Sequence, residues 1–158
     1  INCHEISKQL LSICEPGIDE SMVLAQNDCD AFDNVMNAYK LPKDSYEEIE
    51  FRKEMILKSS LEATKAPFQI AIAAMKLFPL LPELAKNGNV NALTDLASAS
   101  ELLHTSIYIA SLNVKVNIDS ITKNDGAKFF NEINHILGKS KNLNDDIQNI
   151  IFNRLEWH

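Results

Sequence analysis

Asp28 is the residue of this chain whose position most directly indicates chemistry. Plotted at about 100° per residue, the helix predicted over residues 19–40 places Asp28 on an apolar face. The other residues of that face are Leu24, Ala31, Phe32, Val35 and Tyr39. A carboxylate that points toward a core must be paired, hydrogen-bonded, exposed to a cavity or raised in pKa, and a raised pKa suits a general base. Asp30 and Asp33 point to solvent from the same helix.

The helix predicted over residues 91–117 carries a second unusual stripe, which is small and polar where a core stripe is large and apolar. Its members lie within about 40° of one another at helical spacing. They are Asp95, Ala99, Leu102, Ser106, Asn113 and Asn117. Such a stripe either lets another helix approach closely or lines a cleft. Because Asp95 and Asn113 are separated by about 27 Å along a helix, at most one end of the stripe serves a single reaction centre.

Lys40 and Lys43 flank a Leu-Pro pair at the end of the Asp28 helix. Two interpretations stay open: favourable cations at a helix C-terminus, or a cationic mouth for an anionic ligand. The sequence contains no glycine-rich phosphate loop, His-x-x-x-His pair, Cys-x-x-Cys pair or nucleophile elbow. His104 lies half a turn from the small, polar stripe and is interpreted as a structural or surface histidine. The sequence predicts no bound metal or redox cofactor.

Helical periodicity without strand-like alternation predicts an all-α fold, a compact helical bundle of about six helices with one long central helix. Local signals set the expected boundaries: a break at residues 15–17, a capping box at residues 45–48 and an end before Pro67. Pro79 and Pro82 are expected to kink or split the segment that contains them. The predicted helical segments are residues 3–14, 19–40, 45–65, 67–86, 91–117, 127–137 and 142–156.

The bulk composition limits the classes of function. A chain of 158 residues fits one domain, and a net charge of −7 argues against a general binder of nucleic acid or anionic membranes. The richest apolar stretch, residues 66–84, is interrupted by three prolines and a lysine, so no membrane span is predicted. Three cysteines without metal-type spacing favour a reduced, intracellular protein, and we predict a cytoplasmic location.

Four motifs, in order, resemble the cyclodeaminase/cyclohydrolase family, which includes the C-terminal domain of formiminotransferase-cyclodeaminase and bacterial methenyltetrahydrofolate cyclohydrolases. The motifs are Asp28-Cys-Asp-Ala-Phe32, Tyr39-Lys-Leu-Pro-Lys43, Gly88-Asn-Val-Asn-Ala-Leu-Thr-Asp95 and Leu112-Asn-Val-Lys-Val-Asn-Ile118. The resemblance covers residues 24–121 and implies one such domain over residues 1–158. It also implies an all-helical homodimer whose substrate is a one-carbon adduct of tetrahydrofolate.

The resemblance implies roles for particular residues. Asp28 matches the aspartate to which cyclodeaminase chemistry is assigned in bifunctional members, and the helical face singles out the same residue. The residues implied to bind substrate are Lys40, Lys43, Asn89, Asn91 and Asp95. The two lysines would meet the glutamate carboxylate of folate at the rim. Alternatively, Asn91 or Thr94 caps the helix that follows and Asp95 complements its dipole.

The resemblance implies hydrolysis of 5,10-methenyltetrahydrofolate to 10-formyltetrahydrofolate, with cyclodeamination of formiminotetrahydrofolate as the alternative. Family members carry a Pro-Gly-Gly-Gly-Ser-type segment ahead of the first conserved helix. The chain lacks it, and we expect it upstream of Ile1 in the full-length protein. Two other classes stay open: a non-catalytic folate-binding or interaction homologue, and a helical scaffold in which Asp28 pairs with a buried lysine or arginine.

Overall fold

The chain is helical and free of strands over residues 3–156, the part that the computed structural model describes. Four long helices, one short helix and three 3-10 turns follow one another. They are α1 (Cys3–Tyr39), α2 (Tyr46–Met75), a 3-10 turn (Phe78–Leu80), α3 (Leu81–Asn87), a 3-10 turn (Val90–Ala92), α4 (Leu93–Asn117), a 3-10 turn (Ile118–Ser120) and α5 (Lys123–Arg154). The predicted all-α class is confirmed for these residues, whereas the predicted count of about six helices is wrong.

α1 is one continuous helix, so the break predicted at residues 15–17 is wrong. Pro16 deprives the carbonyl of Ser12 of its helical donor, but Ser12 is exposed and water is available to that carbonyl. Gly17 keeps a negative φ, and nothing lies within 4 Å of the place where its side chain would be. These two residues therefore weaken the helix without ending it.

α2 begins where the sequence predicts and continues past its predicted end. The Ser45 hydroxyl accepts a hydrogen bond from the Glu48 amide at 3.2 Å, and the Glu48 carboxylate accepts one from the Ser45 amide at 3.1 Å. This pair confirms the predicted capping box. The end predicted before Pro67 is wrong, because α2 runs on to Met75.

Asn117 of α4 explains how α2 passes through Pro67. A proline inside a helix leaves the carbonyl four residues earlier without its donor, and here that carbonyl belongs to Ala63. The Asn117 side-chain amide donates to the Ala63 oxygen at 2.8 Å. Because Ala63 is buried, an unpaired oxygen at this place would destabilise the fold. The contact gives Asn117 a helix-packing role.

In the second half of the chain, one predicted helix boundary is confirmed and another is wrong. Pro79 and Pro82 split the apolar segment as predicted, so that a 3-10 turn and α3 follow α2. The two short helices predicted over residues 127–137 and 142–156 form a single helix, α5. Residues 138–141 stay helical because the buried face of α5 continues through them and one helical glycine costs only about 1 kcal/mol.

The hydrophobic core lies between α2, α3, α4 and α5. α4, the long central helix of the prediction, packs against α2 on one side and α5 on the other. The largest fully buried apolar side chains are Phe78, Leu93, Ile107, Ile133, Ile147 and Ile151. α1 packs chiefly on α2 and adds only Leu10 at the margin of this core. Asp28 is therefore carried by the outermost long helix.

A buried polar seam joins α4 to α5. The Ser100 hydroxyl donates to the side-chain oxygen of Asn144 at 2.7 Å. His104 Nδ1 lies 3.0 Å from the hydroxyl of Ser140, which itself donates to a carbonyl of its own helix at 2.9 Å. The imidazole of His104 is thus held by a hydrogen bond to Ser140 across the two helices. This contact supports the structural interpretation of His104.

Among the described residues, the helical stretch Tyr46–Asn87 is long and apolar enough to span a membrane, judged by length and composition alone. The sequence predicts no membrane span here, because prolines interrupt the stretch. The core helix of a globular protein meets the same criterion, and this stretch contributes Phe68, Ala71 and Phe78 to the core. A single stretch of this kind is weak evidence for a membrane.

Candidate functional site

Asp28 is half-buried on α1, the helix that packs chiefly on α2. Loss of water around the carboxyl raises the pKa of Asp28 above its usual value, in the direction that the apolar stripe predicts. Over residues 3–156, no side chain forms an ion pair or a hydrogen bond with this carboxyl. In the described part of the chain, no lysine or arginine therefore forms the buried salt bridge that was the alternative role of Asp28.

The buried face of α1 is rotated relative to the predicted stripe. Phe32 and Tyr39, which were predicted to face the core, are 62% and 47% exposed, whereas Ala31 and Ala38 are buried. On a helical wheel the centre of the buried face shifts by roughly 50° toward the two alanines. Small alanines let α1 approach α2 closely, and the two rings remain on the flank. Asp28 therefore lies at the boundary of this face, where a side chain is desolvated but reachable.

An apolar groove runs between α1, α2 and α4 and ends near Asp28, which itself lines neither of its two cavities. It consists of a cavity of about 430 Å³ and an adjoining cavity of about 310 Å³, which share Ile70 and Ser106 as lining residues. Leu24 lines the larger cavity, and Asp28 follows it by one helical turn, about 6 Å along α1. Volumes of several hundred Å³, roughly 300–1,000 Å³, are typical of small-molecule sites. We call these joined cavities the α1/α2/α4 groove.

The small, polar stripe of α4 both lines this groove and packs a helix. Leu102, Ser106 and Asn113 line the smaller cavity, as the cleft interpretation predicts. Asn117 instead donates to the backbone of α2. Asp95 lines neither cavity of the groove. The middle of the stripe therefore belongs to the groove and its C-terminal end to helix packing.

Lys40 and Lys43 are exposed beyond the C-terminal end of α1. Lys40 follows Asp28 by twelve residues, a distance of about 18 Å along the helix axis. The carbonyl of Tyr39, at the end of α1, accepts a hydrogen bond from Arg52 at 3.0 Å, and the Arg52 guanidinium lies 5.6 Å from the centre of the Tyr39 ring. Arg52, rather than either lysine, therefore caps α1.

A third cavity, of about 280 Å³, lies at this end between α1 and α2. Its polar lining residues are Asn34, Asn37, Lys58, Ser59 and Glu62. Sequence reasoning missed Arg52 and Lys58, because only the packing of α2 on α1 brings them to the C-terminal end of α1. The short loop between the two helices is the one local signal that they meet.

Asn89 caps the 3-10 turn that leads into α4. Its side-chain oxygen accepts a hydrogen bond from the Asn91 amide at 3.0 Å. The prediction that Asn91 or Thr94 caps the following helix is wrong, because α4 begins without a side-chain cap. Asp95 lies in the first turn of α4, where a carboxylate complements the helix dipole. Asn89, Asn91 and Asp95 are all exposed.

One chain does not bring all the predicted site residues together. α1 and α4 both run antiparallel to α2 and hence parallel to each other, and Leu24 and Ser106 line the same cavity. Asp28 follows Leu24 by four residues, and Asp95 precedes Ser106 by eleven. Asp28 and Asp95 are therefore separated by about 22 Å along the bundle axis. The lysines lie beyond Asp28 at the opposite end, so the candidate site has three separate regions.

Few polar groups reach the groove. Cys14 lines the larger cavity, and Cys3, Cys14 and Cys29 are all unpaired. Within residues 3–156, no group of three or more His, Cys, Asp or Glu side chains is placed to hold a metal ion. The walls are mainly aliphatic, and Glu20 and Lys76 at the rim form an ion pair of 3.3 Å.

Gly88→Ala is expected to destabilise the protein by about 1 kcal/mol or more. A methyl group at Gly88 would overlap the carbonyl oxygen of Leu84, whose hydrogen bond from the Gly88 amide ends α3. Gly138→Ala is the matched control, since nothing lies within 4 Å of the added carbon, and it should stabilise α5 by about 0.5–1 kcal/mol. Thermal unfolding measures both variants. Equal shifts of both midpoints in the same direction would contradict the steric argument.

The fold and the groove define an all-α bundle that carries a half-buried aspartate one helical turn from a cavity of small-molecule size. The family model described as formiminotransferase-cyclodeaminase matches residues 2–135. The chain belongs to this family, which confirms the resemblance of its four motifs.

Its relatives include proteins named for two reactions. Formimidoyltransferase-cyclodeaminase of Rattus norvegicus is 34% identical over 99 residues, which are 63% of this chain and 18% of that protein. The chain therefore spans about a fifth of that relative. Methenyltetrahydrofolate cyclohydrolase of Methylorubrum extorquens is 30% identical over 142 residues, 89% of this chain and 68% of that protein.

A solved structure has the same fold. The formiminotetrahydrofolate cyclodeaminase of Thermotoga maritima matches with a TM-score of 0.69, covering 94% of this chain and 69% of that chain. At 23% sequence identity this likeness concerns the fold alone.

Proposed function

We propose that this chain acts on a one-carbon adduct of tetrahydrofolate and hydrolyses 5,10-methenyltetrahydrofolate to 10-formyltetrahydrofolate. The observation that carries the proposal is Asp28, a desolvated carboxyl that has no side-chain partner within residues 3–156 and lies one helical turn along α1 from a groove large enough for a small molecule. Family membership supports the substrate class, and a cyclohydrolase is among the relatives.

The chemistry suits such a carboxylate. The bridging carbon of the methenyl group belongs to a cationic amidinium, to which water adds before the carbinolamine opens to the formyl product. Asp28 would stabilise the cation, orient the water and accept its proton during addition. A raised pKa brings the carboxyl closer to the neutral range in which a general base works best.

Cyclodeamination of 5-formiminotetrahydrofolate is the second candidate function, because the matching family model and several relatives are named for that reaction. In that reaction the ring closes and ammonia leaves, so the site must deliver a proton to the departing nitrogen. The same carboxyl, once protonated, would supply it. Neither reaction as proposed requires a bound metal or redox cofactor.

We also propose that the working form is a homodimer in the cytoplasm. Large apolar side chains remain exposed on α1 and α4, including Met22, Phe32, Leu102 and Val116 at 62–73% exposure. A second copy that covered this surface would remove it from water. It would also allow one chain's Asp95 region to approach the groove of the other, whereas within one chain Asp95 lines neither cavity of the groove and lies about 22 Å from Asp28 along the bundle axis.

Two assays test the proposed reaction with the wild-type protein. Loss of the methenyltetrahydrofolate absorbance measures cyclohydrolase activity, and ammonia release from formiminotetrahydrofolate measures cyclodeaminase activity. Enzyme-dependent loss of absorbance establishes the first function, and ammonia release alone establishes the second. If a folded protein catalyses neither reaction, the enzymatic proposal fails. Calorimetric titration with tetrahydrofolate would then identify or exclude a non-catalytic folate-binding homologue.

The raised pKa of Asp28 predicts that Asp28→Asn stabilises the protein at pH 7. The folded protein holds the Asp28 proton more tightly than the unfolded chain, so ionisation of Asp28 lowers stability as the pH rises above its usual value of 3.8. Removing this charge should therefore raise the thermal midpoint at pH 7. The gain should shrink as the pH falls toward 3.8.

Calorimetric scans from pH 3 to pH 7 measure this effect. Asp33→Asn is the control, because Asp33 is exposed on the same helix and should not give the same pH-dependent gain. A gain in the Asp28 variant that did not change with pH would contradict desolvation as its cause.

A further inference from the structure

The C-terminal end of α5 holds the segment that carries Asn89, Asn91 and Asp95. Arg154, in the last turn of α5, donates from one guanidinium nitrogen to the Ala85 carbonyl at 2.7 Å and from the other to the Gly88 carbonyl at 3.0 Å. Both oxygens belong to the exit of α3, whose last carbonyls have no helical donors of their own. A guanidinium presents its donors in a fixed planar fork, so two carbonyls bound at once fix the direction in which the chain leaves α3.

Asn89 comes directly after Gly88, whose carbonyl Arg154 binds. Its side-chain oxygen is occupied by the Asn91 amide at 3.0 Å, and its backbone oxygen accepts a hydrogen bond from the Ala92 amide at 3.0 Å. These bonds orient the side-chain amide nitrogen, which donates to no residue within the described part of the chain. The exposed segment therefore presents a fixed, unused donor to solvent, and Arg154 determines where it lies.

We propose that Arg154 is a positioning residue for substrate binding, acting through the Gly88–Asp95 motif. The inference rests on the proposed function and on the family resemblance, which implies that Asn89, Asn91 and Asp95 bind the folate substrate. Arg154 lies outside residues 2–135, the part that the family model matches. It contacts no cavity of the groove, so its effect reaches the substrate only through the backbone that it holds.

The position of the motif determines which kinetic constant should change. Asp95 is about 22 Å from Asp28 of its own chain along the bundle axis, and in the proposed dimer it would approach the groove of the partner, which Asp28 does not line. This region is therefore expected to bind a part of the substrate that does not react. Loss of such binding weakens the ground state and the transition state equally, which raises KM and leaves kcat unchanged. A general loss of fold would instead lower the active fraction and hence kcat.

The test compares Arg154→Met, Arg154→Lys and the control Asn144→Ala in the full-length protein. Asn144 accepts from Ser100 and donates to Glu101, so its variant loses two α4–α5 hydrogen bonds without touching the Gly88 carbonyl. For Arg154→Met we expect KM for methenyltetrahydrofolate to rise about tenfold with kcat within about twofold of wild type. Arg154→Lys, which keeps one donor, should give an intermediate KM, and Asn144→Ala should leave KM unchanged.

Amide hydrogen exchange provides a readout that does not depend on activity. In Arg154→Met the amides of residues 88–93 should exchange faster than in wild type, and in Asn144→Ala they should not. Unchanged exchange in Arg154→Met would show that Arg154 does not hold the backbone at the end of α3. Unchanged KM in Arg154→Met with an active wild type overturns the binding role. A wild type without folate activity would instead be the failure of the proposed function, and the exchange result would still decide whether Arg154 holds the motif.

Discussion

Asp28→Asn is expected to reduce turnover of 5,10-methenyltetrahydrofolate by about 10²–10⁴-fold, the usual contribution of a positioned general base. Asparagine fills nearly the same space but can neither accept a proton from the attacking water nor balance the charge of the amidinium. The measurement is the initial rate of absorbance loss at saturating substrate. Since the substitution removes a desolvated charge, the variant should remain folded, and lost activity will not reflect unfolding.

Asp33→Asn provides the matched control for this experiment. Asp33 lies five residues further along α1 and is exposed, so the control removes the same charge from the same helix without altering the groove. Its rate should equal that of wild type. If Asp28→Asn also kept the wild-type rate, Asp28 would not be the catalytic carboxylate, and the proposed mechanism would be wrong.

Asn117→Ala is expected to lower the free energy of unfolding by about 1–3 kcal/mol, the effect of leaving a buried acceptor without a partner. The acceptor is the Ala63 carbonyl, which lost its helical donor to Pro67 and receives a hydrogen bond from Asn117 at 2.8 Å. Denaturant unfolding measures the loss. The contribution of Asn117 to stability should therefore depend on Pro67, a proline in another helix.

A double-mutant cycle with Pro67→Ala tests that dependence. Alanine at position 67 restores the backbone N–H, which can then donate to Ala63 within α2. In this background Asn117→Ala should cost much less, within about 0.5 kcal/mol of no effect. An equal cost of Asn117→Ala in both backgrounds would mean that the asparagine stabilises the fold in another way.

The errors in the predicted helix boundaries have an identifiable physical cause. Proline and glycine act through the local backbone, and the sequence rules treat them as local breakers. At Pro16 the freed carbonyl belongs to an exposed residue and is open to solvent, and at Pro67 a donor 54 residues away along the chain binds the freed carbonyl. Neither the exposure of α1 nor the approach of Asn117 is encoded in the neighbouring residues. The all-α class was predictable, because it depends on periodicity and not on where each helix ends.

The candidate site was predictable to the extent that it lies on one helix face. Spacing alone placed Asp28 toward the interior, and the direction of its pKa follows from that position. Spacing could not give the rotation of the buried face toward Ala31 and Ala38, because the packing of α2 determines it. The distances between Asp28 and the other predicted residues are likewise tertiary facts. Arg154 was missed because its contacts with the end of α3 arise only when the bundle forms.

The peripheral position of α1 has a consequence for how recognition and folding are linked. Because α1 packs mainly against α2 and contributes almost nothing to the core, its free energy of local unfolding should be lower than that of α4 or α5. The groove has α1 as one wall, so a molecule seated there can bind only while α1 is docked. Occupancy then selects the docked state and stabilises it by mass action. Substrate binding would therefore also stabilise Asp28 in its catalytic position.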